Sequence, residues 1–300
     1  MTKRAISEGL EPILGEALPV LDHGFVRVVD YMGNDAAIVQ AARVSYGPGT
    51  KSVSEDAGLI NYLMGNAHTS PFEMCEIKLH VRLPIFVARQ WVRHRTANVN
   101  EISGRYSVLP NDFYLPEKEN LCTQSTHSRQ GRGHPLSPEV QASLLETLRT
   151  DAEQIFAHYA AMLALSHPEY PEEKGLTREL ARINLPLSTY TEWYWKIDLR
   201  NLLHFLTLRL SPHAQYEIRV YAEILLGIVK RWVPLTYAAF VNDHLEGARL
   251  SGTTLAVIRR LLAGESVTQE TSALSKREWD RLCQLLHLEE PTDAQQKRKT

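Results

Sequence analysis

The chain has 300 residues, of which 44% are hydrophobic and 23% are charged, a balance typical of folded globular proteins and not of disordered chains. Its 33 Lys and Arg residues nearly offset 35 Asp and Glu residues. The net charge of −2 argues against a general nucleic-acid binder, which normally carries a basic excess. No apolar run approaches the roughly 20 residues of a membrane-spanning helix. The length allows two domains or one large one.

The three cysteines predict a reducing compartment and no thiol-based site. Cys75, Cys122 and Cys283 are far apart and odd in number, so we expect neither a disulfide framework nor a cysteine-based zinc site. The N-terminus lacks the apolar stretch of a signal peptide, and we expect a cytoplasmic protein. Cys75 opens a segment of alternating apolar and polar residues, which indicates a small core residue and not a nucleophile.

The first part of the chain predicts strands and helices in alternation. Residues 25–32 are apolar and β-branched and predict a strand, whereas residues 34–45 predict a helix with Asn34 as its N-cap. Residues 54–64 predict a second helix, because acidic side chains follow Ser54 in the first turn. Residues 75–83 alternate as a half-buried strand does. Pro84 suits the first turn of a helix that continues to about Arg93.

The second part of the chain is mainly helical. Residues 111–138 are rich in Pro, Gly and Ser and predict a long loop of a kind that is usually functional or mobile. The aromatic and β-branched residues 187–197 predict a strand or an extended edge. Helices are expected at residues 138–167, 176–183, 199–210, 217–232, 254–263 and 276–287. The mixture predicts a helix-rich α+β fold with a small sheet and a C-terminal helical appendix.

Residues 90–107 hold the densest group of chemically active side chains. Within them, Arg93-His94-Arg95 repels itself unless an anion lies against it. Because the planar guanidinium group matches phosphate or carboxylate oxygens two at a time, a phosphate-bearing ligand is one interpretation. A solvated basic turn paired with Glu101 is the alternative, and charge alone does not separate the two. Gly104 favours the ligand, since it lets the backbone approach closely.

Arg93-His94-Arg95, followed after seven residues by Ser103, resembles the signature of the flavin-dependent thymidylate synthases. The longer form of that signature is met by Asn100, Glu101, Ser103, Arg105 and Tyr106. Flanking segments also match the family in order, and these are Ala42-Arg43-Val44-Ser45, His68-Thr69-Ser70-Pro71-Phe72-Glu73, residues 84–91, Ala181-Arg182-Ile183 with Pro186, Asp198-Leu199-Arg200, Leu208-Arg209 and His213-Ala214-Gln215-Tyr216-Glu217. The likeness covers roughly residues 24–245, a breadth at which chance agreement is very improbable.

The resemblance implies an enzyme of de novo dTMP biosynthesis. The family methylates dUMP to dTMP, with 5,10-methylenetetrahydrofolate as the carbon donor and FAD, reduced by NADPH, as the hydride donor. It also implies a homotetramer with shared active sites, whose other partners are these small molecules alone. We expect an N-terminal arm at residues 1–23, one catalytic domain at 24–245 and a C-terminal helical extension at 246–300.

The residues that would hold dUMP lie in and around the arginine-rich segment. The implied set is Gln90, Trp91, Val92, Arg93, Glu101, Ile102, Ser103, Gly104, Arg105, Arg182 and Arg209. Ser103 and Arg105 suit the phosphate, and turn capping is the alternative for Ser103. Arg209 is the implied catalytic residue, because a cation beside the uracil ring favours its deprotonated form and makes C5 more nucleophilic. The alternative for Arg209 is a helix-end arginine stabilised by the helix dipole.

FAD is implied to contact a second set, which consists of Ser70, Arg93, His94, Arg95, Glu101, Asp198, Leu199, Arg200 and His204. His68 is implied near the flavin and the folate, and a simple turn is an equal alternative for it. A buried histidine with a satisfied partner is the alternative for His204. Asn98 stands where the family often has Ser, and Met74 where His is common. Asp198 and His204 stand where some members carry Asn. These departures affect individual hydrogen bonds to the flavin and not the reaction.

Arg200 and Arg209 raise a geometric question, because an ideal helix places residues nine apart about 180° from each other. Either the predicted helix ends before Arg209, or the two arginines serve different sites. The second alternative fits a site built between subunits.

Two other function classes compete with this interpretation. A nucleic-acid-binding module would use Arg93-His94-Arg95, but the near-neutral charge and Glu101 argue against it. A histidine-metal hydrolase would use a His-Glu-x-x-His segment or paired cysteines, and the sequence has neither, so no metal is predicted.

Overall fold

The computed structural model describes residues 5–44, 56–126, 130–166, 168–173 and 175–288. The strands are β1 (Ala17–Val20), β2 (Gly24–Met32), β3 (Glu76–Pro84), β4 (Asn98–Glu101), β5 (Cys122–Gln124), β6 (Arg132–Pro135) and β7 (Tyr190–Asp198). The helices are α1 (Asp35–Arg43), α2 (Asp56–Gly65), α3 (Ser70–Glu73), α4 (Ile85–Trp91), α5 (Pro138–Ala164), α6 (Arg178–Ala181), α7 (Leu199–Arg209), α8 (Tyr216–Trp232), α9 (Pro234–Phe240), α10 (Gly252–Leu262) and α11 (Lys276–Leu286). Ser45 and Ser54 lie outside the described residues.

An antiparallel sheet organises the described part of residues 1–245. Its five strands lie in the order β1-β2-β3-β7-β4. On β3, the side chains of Ile77, Leu79 and Val81 are at most 1% exposed, whereas those of Lys78 and His80 on the other face are partly exposed. Helices α4, α7 and α8 pack on the apolar face. The predicted strand at 75–83 is therefore confirmed, and the α+β class with it.

Trp91 holds the end of α4 in the core. Its ring is 0% exposed and lies 5.1 Å from Trp195 of β7, 4.8 Å from Phe205 of α7 and 5.8 Å from Tyr221 of α8, measured between ring centroids. Aromatic pairs at such distances add to the stabilisation from burial. The packing fixes the start of the arginine-rich segment, which follows α4 directly, against the middle of α7.

Some sequence-based boundaries are wrong. The expected loop at 111–138 contains the hairpin β5–β6, and the expected helix that reached Arg93 ends at Trp91. Residues 17–20 of the expected N-terminal arm pair with β2 as an edge strand of the sheet. Strand β4 was also not predicted, because all four of its side chains are exposed and no alternation marks it. Its pairing with β7 rests on backbone hydrogen bonds, which no side-chain pattern records.

The chain divides into two compact units, residues 1–245 and residues 246–300. The second unit contains α10 and α11 and has a small core of its own, made of Val257, Leu274, Trp279, Leu282 and Cys283. Ser275 and Glu278 form a reciprocal capping box at the start of α11. Among the described residues, no helix is long and apolar enough to cross a membrane.

Candidate active site

Arg209 closes α7 and lies against the turn that follows α4. Its Nε donates to Nε2 of His94 at 3.0 Å, and its Nη2 donates to the carbonyl oxygen of Gln90 at 3.2 Å. Both acceptors are uncharged, and within the described residues no carboxylate pairs with this guanidinium group. Burial lowers the pKa of Arg209 from its ordinary value, although an arginine remains protonated in proteins. The turn therefore holds a half-buried cation without a counter-ion.

His94 is a neutral histidine beside this cation. Its ring centroid lies 4.7 Å from Phe205 and 6.2 Å from His204. Burial, the charge of Arg209 and the neighbouring His204 together lower the pKa of His94 to about 4. Since Nε2 accepts the hydrogen bond from Arg209, the hydrogen-bond network assigns the imidazole proton to Nδ1. His94 is thus set to orient Arg209 and not to carry charge itself.

Helix α7 runs without a break from Leu199 to Arg209, so the alternative in which it ends earlier is wrong. Arg200 and Arg209 consequently point to opposite sides of one helix. Asp198 is the N-cap, and its carboxylate accepts from the amide N of Asn201 at 2.9 Å and from its Nδ2 at 2.6 Å. Leu199 is 0% exposed, so its side chain is not available to a ligand. Its backbone amide donates to the Cys75 carbonyl oxygen.

A second polar group surrounds the turn after β4. The Ser103 hydroxyl accepts from the Arg105 amide at 3.3 Å, and Nε of Arg105 donates to Glu179 at 2.7 Å. Gly104 lies so close to Arg182 that a Cβ at this position would be 2.9 Å from Cδ of that arginine. Ser103 therefore does cap a turn, as its alternative interpretation expects. No hydrogen bond or ion pair between described residues joins this group to Arg209.

Glu101 and the arginine pair before it are not partners. Oε1 of Glu101 accepts from the Thr191 hydroxyl at 2.6 Å across the β4–β7 pair. Arg93 and Arg95 are exposed, and neither forms an ion pair with a carboxylate in the described parts of the chain. The predicted pairing of this basic turn with Glu101 is therefore not formed. Arg93 and Arg95 are two neighbouring exposed cations without a carboxylate partner among the described residues.

Trp91 and Val92 differ sharply within the implied dUMP set. Val92 is 41% exposed at the turn, whereas Trp91 is 0% exposed. The indole Nε1 of Trp91 is buried and has no acceptor among the described residues. Any contact between Trp91 and a ligand would have to come from its backbone, because its side chain belongs to the core.

A cavity of about 860 Å³ lies between α1, α2 and α3 and contains the implied flavin residue Ser70 together with His68. Met74, one of the departures from the family pattern, lines the same cavity. The His68 ring stands edge-on to Tyr62 at 5.7 Å between centroids. The volume falls within the range of roughly 300–1,000 Å³ that is usual for cofactor and ligand pockets.

Cys75 is unsuited to nucleophilic chemistry. Its side chain is 0% exposed, and burial, with a smaller contribution from Asp35, raises its pKa to about 12. The thiol donates to the Asn34 carbonyl oxygen at 3.6 Å. The interpretation of Cys75 as a core residue is confirmed.

Sequence reasoning missed the role of a buried carboxylate on α8. Glu217 is 4% exposed, and its two oxygens lie 2.7 and 2.9 Å from Nη2 of Arg132 on β6. The hydroxyl of Tyr114 donates to the same carboxylate at 3.2 Å. The segment 213–217 matched the family pattern, but a matching residue type does not reveal its burial or its partners.

The comparisons with known proteins agree with the motif. A family model described as thymidylate synthase complementing protein matches residues 27–235. The chain is 58% identical over 286 residues to the flavin-dependent thymidylate synthase of Gluconobacter oxydans, covering 95% of this chain and 92% of the relative. This chain belongs to the flavin-dependent thymidylate synthase family. The family resemblance drawn from the arginine-rich segment is confirmed, and the protein is an enzyme of this family.

Further members of the family align over nearly their whole length. The flavin-dependent thymidylate synthase of Wolbachia pipientis is 56% identical over 95% of this chain and 97% of the relative. Among solved structures, the UMP/dUMP methylase PolB from Streptomyces cacaoi, bound with 5-Br dUMP, matches with a TM-score of 0.66 and 31% identity. That alignment covers 76% of this chain and 98% of the methylase.

Proposed function

We propose that this flavin-dependent thymidylate synthase methylates dUMP to dTMP, with 5,10-methylenetetrahydrofolate as the carbon donor and FAD, reduced by NADPH, as the hydride donor. One observation carries the proposal: Arg209 is a half-buried cation held by two uncharged acceptors, with no carboxylate partner among the described residues. Such a group stabilises negative charge as it develops on a bound ring.

Arg209 has donors to spare for that task. A guanidinium group has five N–H donors, and the hydrogen bonds to His94 and Gln90 use two of them. We infer that the others face the uracil ring, favour its N3-deprotonated form and so raise the nucleophilicity of C5. Activation of this kind requires no thiol, and the buried Cys75 is consistent with it.

The dUMP contacts would come from both polar groups. We assign Gln90, Val92, Arg93 and Arg209 to one side of the nucleotide, and the remaining members to the other side, which are Glu101, Ile102, Ser103, Gly104, Arg105 and Arg182. Ser103 and Arg105 would bind the phosphate by hydroxyl and charge-assisted hydrogen bonds. Because no hydrogen bond or ion pair within the described residues joins the two groups, we infer that sites shared in a homotetramer bring them together. With three free cysteines, a cytoplasmic location is proposed.

The chain offers donors that suit FAD. Arg93 and Arg95 lack a carboxylate partner in the described parts of the chain and match a diphosphate. Ser70 lines a cavity large enough for part of such a cofactor. Asp198 and Arg200 at the start of α7, His204 in its middle, and His94 with Glu101 complete the proposed set.

The test combines the visible spectrum with one substitution. We expect the purified protein to be yellow, to oxidise NADPH faster when dUMP is present, and to form dTMP. Arg209→Ala should lower dTMP formation about 100-fold or more while flavin absorbance is retained. Arg219→Ala, which removes a partly exposed arginine from α8, is the matched control and should leave turnover intact. A colourless protein that gains no absorbance with FAD would overturn the proposal, and so would normal turnover of Arg209→Ala.

A further inference from the structure

A line of hydrogen bonds leads from the buried carboxylate of Glu217 to Gln90 at the end of α4. Nε2 of Gln215 donates to Oε2 of Glu217 at 2.9 Å. On the other side of the same amide, Oε1 of Gln215 accepts from Nε2 of Gln90. Gln90 is also the residue whose carbonyl oxygen accepts from Arg209. The line therefore ends at the residue that supports the proposed catalytic arginine.

The direction of each hydrogen bond in this line follows from its first member. A carboxylate only accepts hydrogen bonds, so the NH₂ group of Gln215 must face Glu217 and its oxygen must face Gln90. The NH₂ group of Gln90 must then face Gln215. This leaves Oε1 of Gln90 as the free end of the amide, and it has no hydrogen-bond partner among the described residues.

We propose that Glu217 and Gln215 are positioning residues that fix the Gln90 amide with its oxygen toward the nucleotide, so that Gln90 accepts a hydrogen bond from an N–H or O–H group of dUMP. The inference rests on the proposed binding of dUMP by Gln90. An amide side chain without fixed partners can rotate by 180° and exchange its oxygen and nitrogen, because the two ends have nearly the same shape. The carboxylate of Glu217 prevents this rotation in Gln90, although Glu217 acts on it only through Gln215 and does not itself contact the nucleotide.

The hairpin β5–β6 secures the carboxylate itself. Arg132 contacts both oxygens of Glu217 with one nitrogen, and its other terminal nitrogen donates to Oδ1 of Asn120 at 2.8 Å. The guanidinium carbon also lies 5.3 Å from the centre of the Tyr216 ring. Charge-assisted hydrogen bonds of this kind are roughly twice as strong as neutral ones. The segment expected as a loop thus contributes to the orientation of Gln90.

Two substitutions test the positioning role directly in the holoenzyme. Glu217→Gln lets the Gln215 amide rotate by 180°. Gln215→Met removes the hydrogen bonds between Gln90 and Glu217 that run through Gln215, and it leaves the Glu217–Arg132 pair in place. We expect each to raise KM for dUMP about tenfold, with kcat and flavin content nearly unchanged. Since Gln215 is exposed, Gln215→Met decides the question if Glu217→Gln does not fold.

Tyr114→Phe is the matched control, because it removes another hydrogen bond to Glu217 without touching Gln215. Its KM for dUMP should match that of the wild type. An equal rise of KM in Tyr114→Phe and Glu217→Gln, or an unchanged KM in Gln215→Met, would overturn the inference. Failure of the wild type to bind dUMP would instead refute the proposed function.

A double substitution tests the polarity. Gln90→Glu sets a carboxylate against the Gln215 oxygen and should weaken dUMP binding. Adding Glu217→Gln lets the Gln215 amide rotate by 180° and donate to the new carboxylate. Glu217→Gln, which weakens dUMP binding in the wild type, should therefore restore part of the dUMP binding in Gln90→Glu. Glu223→Gln, which removes a similar charge from α8, should not restore it. Additive losses, or equal restoration by Glu223→Gln, would contradict the proposed polarity.

Discussion

At the residue scale, the state of His94 decides how Arg209 is held. An imidazole that accepts at Nε2 can hold the guanidinium group, whereas an imidazolium ion would repel it. The low pKa of His94, about 4, keeps the ring in the accepting form across the neutral range. The second acceptor, the Gln90 carbonyl oxygen, is a backbone atom that does not titrate at all. Arg209 is therefore held in position by uncharged acceptors, and its positive charge is not neutralised by a carboxylate of the described residues.

The pH dependence of stability should report this histidine. In the folded chain its pKa is about 4, against an ordinary value of 6.5, so between these values the unfolded chain binds a proton that the folded chain does not. The stabilisation associated with neutral His94 is fully present above pH 6.5, and the free energy of unfolding falls as the pH is lowered from 6.5 toward 4. Measured by urea unfolding at about pH 7.5 and about pH 5, the wild type should lose more stability than His94→Gln, which keeps an acceptor but does not titrate. Equal losses in the two proteins would contradict the assigned pKa.

Residue types and their order were enough to place the chain in its family through the arginine-rich segment, and they predict Arg209 as a site residue. Burial was not readable in the same way. Trp91 and Leu199 both belong to segments that match the family, yet both side chains are 0% exposed because they face the core from α4 and α7. A motif records which residue stands at a position, whereas its exposure depends on elements that are distant in the sequence.

At the element scale, α7 carries three of the side chains assigned to the site, and Asp198 begins that helix. Asn is an equally good N-cap, so the departure from the family at this position preserves the cap. Asp198→Ala should lower the free energy of unfolding by about 1 kcal/mol and weaken flavin retention, whereas Asp198→Asn should do neither. Urea unfolding and the flavin content of the purified variants provide the two measurements.

Ser251→Ala is the control for this cap. Ser251 caps α10 in the other unit through a hydrogen bond from the Thr254 amide at 3.1 Å. Its loss should cost a similar free energy within residues 246–300 and leave the flavin content unchanged. Equal flavin loss in Ser251→Ala and Asp198→Ala would show that the cap of α7 has no specific effect on flavin binding, and it would contradict the prediction for Asp198.

Periodic elements were predictable, and elements without a period were not. Strand β3 and helices α7 and α8 show the spacing of their buried faces in the sequence, because each has one apolar side against the core. Strand β4 and the hairpin β5–β6 lack such a face. Their positions depend on backbone pairing and on polar contacts such as Arg132 with Glu217, which arise only after the chain has folded.

At the scale of the whole molecule, the two units have separate cores and should unfold separately. Trp279 is 8% exposed in the small core of residues 246–300. Trp279→Ala should cost that unit about 3–5 kcal/mol, which exceeds what so small a core can lose. We expect limited proteolysis to remove the C-terminal unit from this variant while a folded fragment of residues 1–245 remains. Loss of the larger unit at the same protease concentration would show that the two units depend on each other.

The separation of the site residues into two groups leads to a test of sharing between subunits. Arg209→Ala damages one group and Arg105→Ala the other, and each alone should lower dTMP formation about 100-fold. If one active site takes Arg209 from one subunit and Arg105 from another, co-expression of the two variants creates sites in which both groups are intact, and activity returns. Co-expression of Arg209→Ala with Arg209→Gln is the control, because both changes remove the same guanidinium group and no combination of subunits restores it. Equal activity in the two mixtures would place both groups on the same chain, and the opposite directions of Arg200 and Arg209 on α7 would then require two separate sites within one subunit.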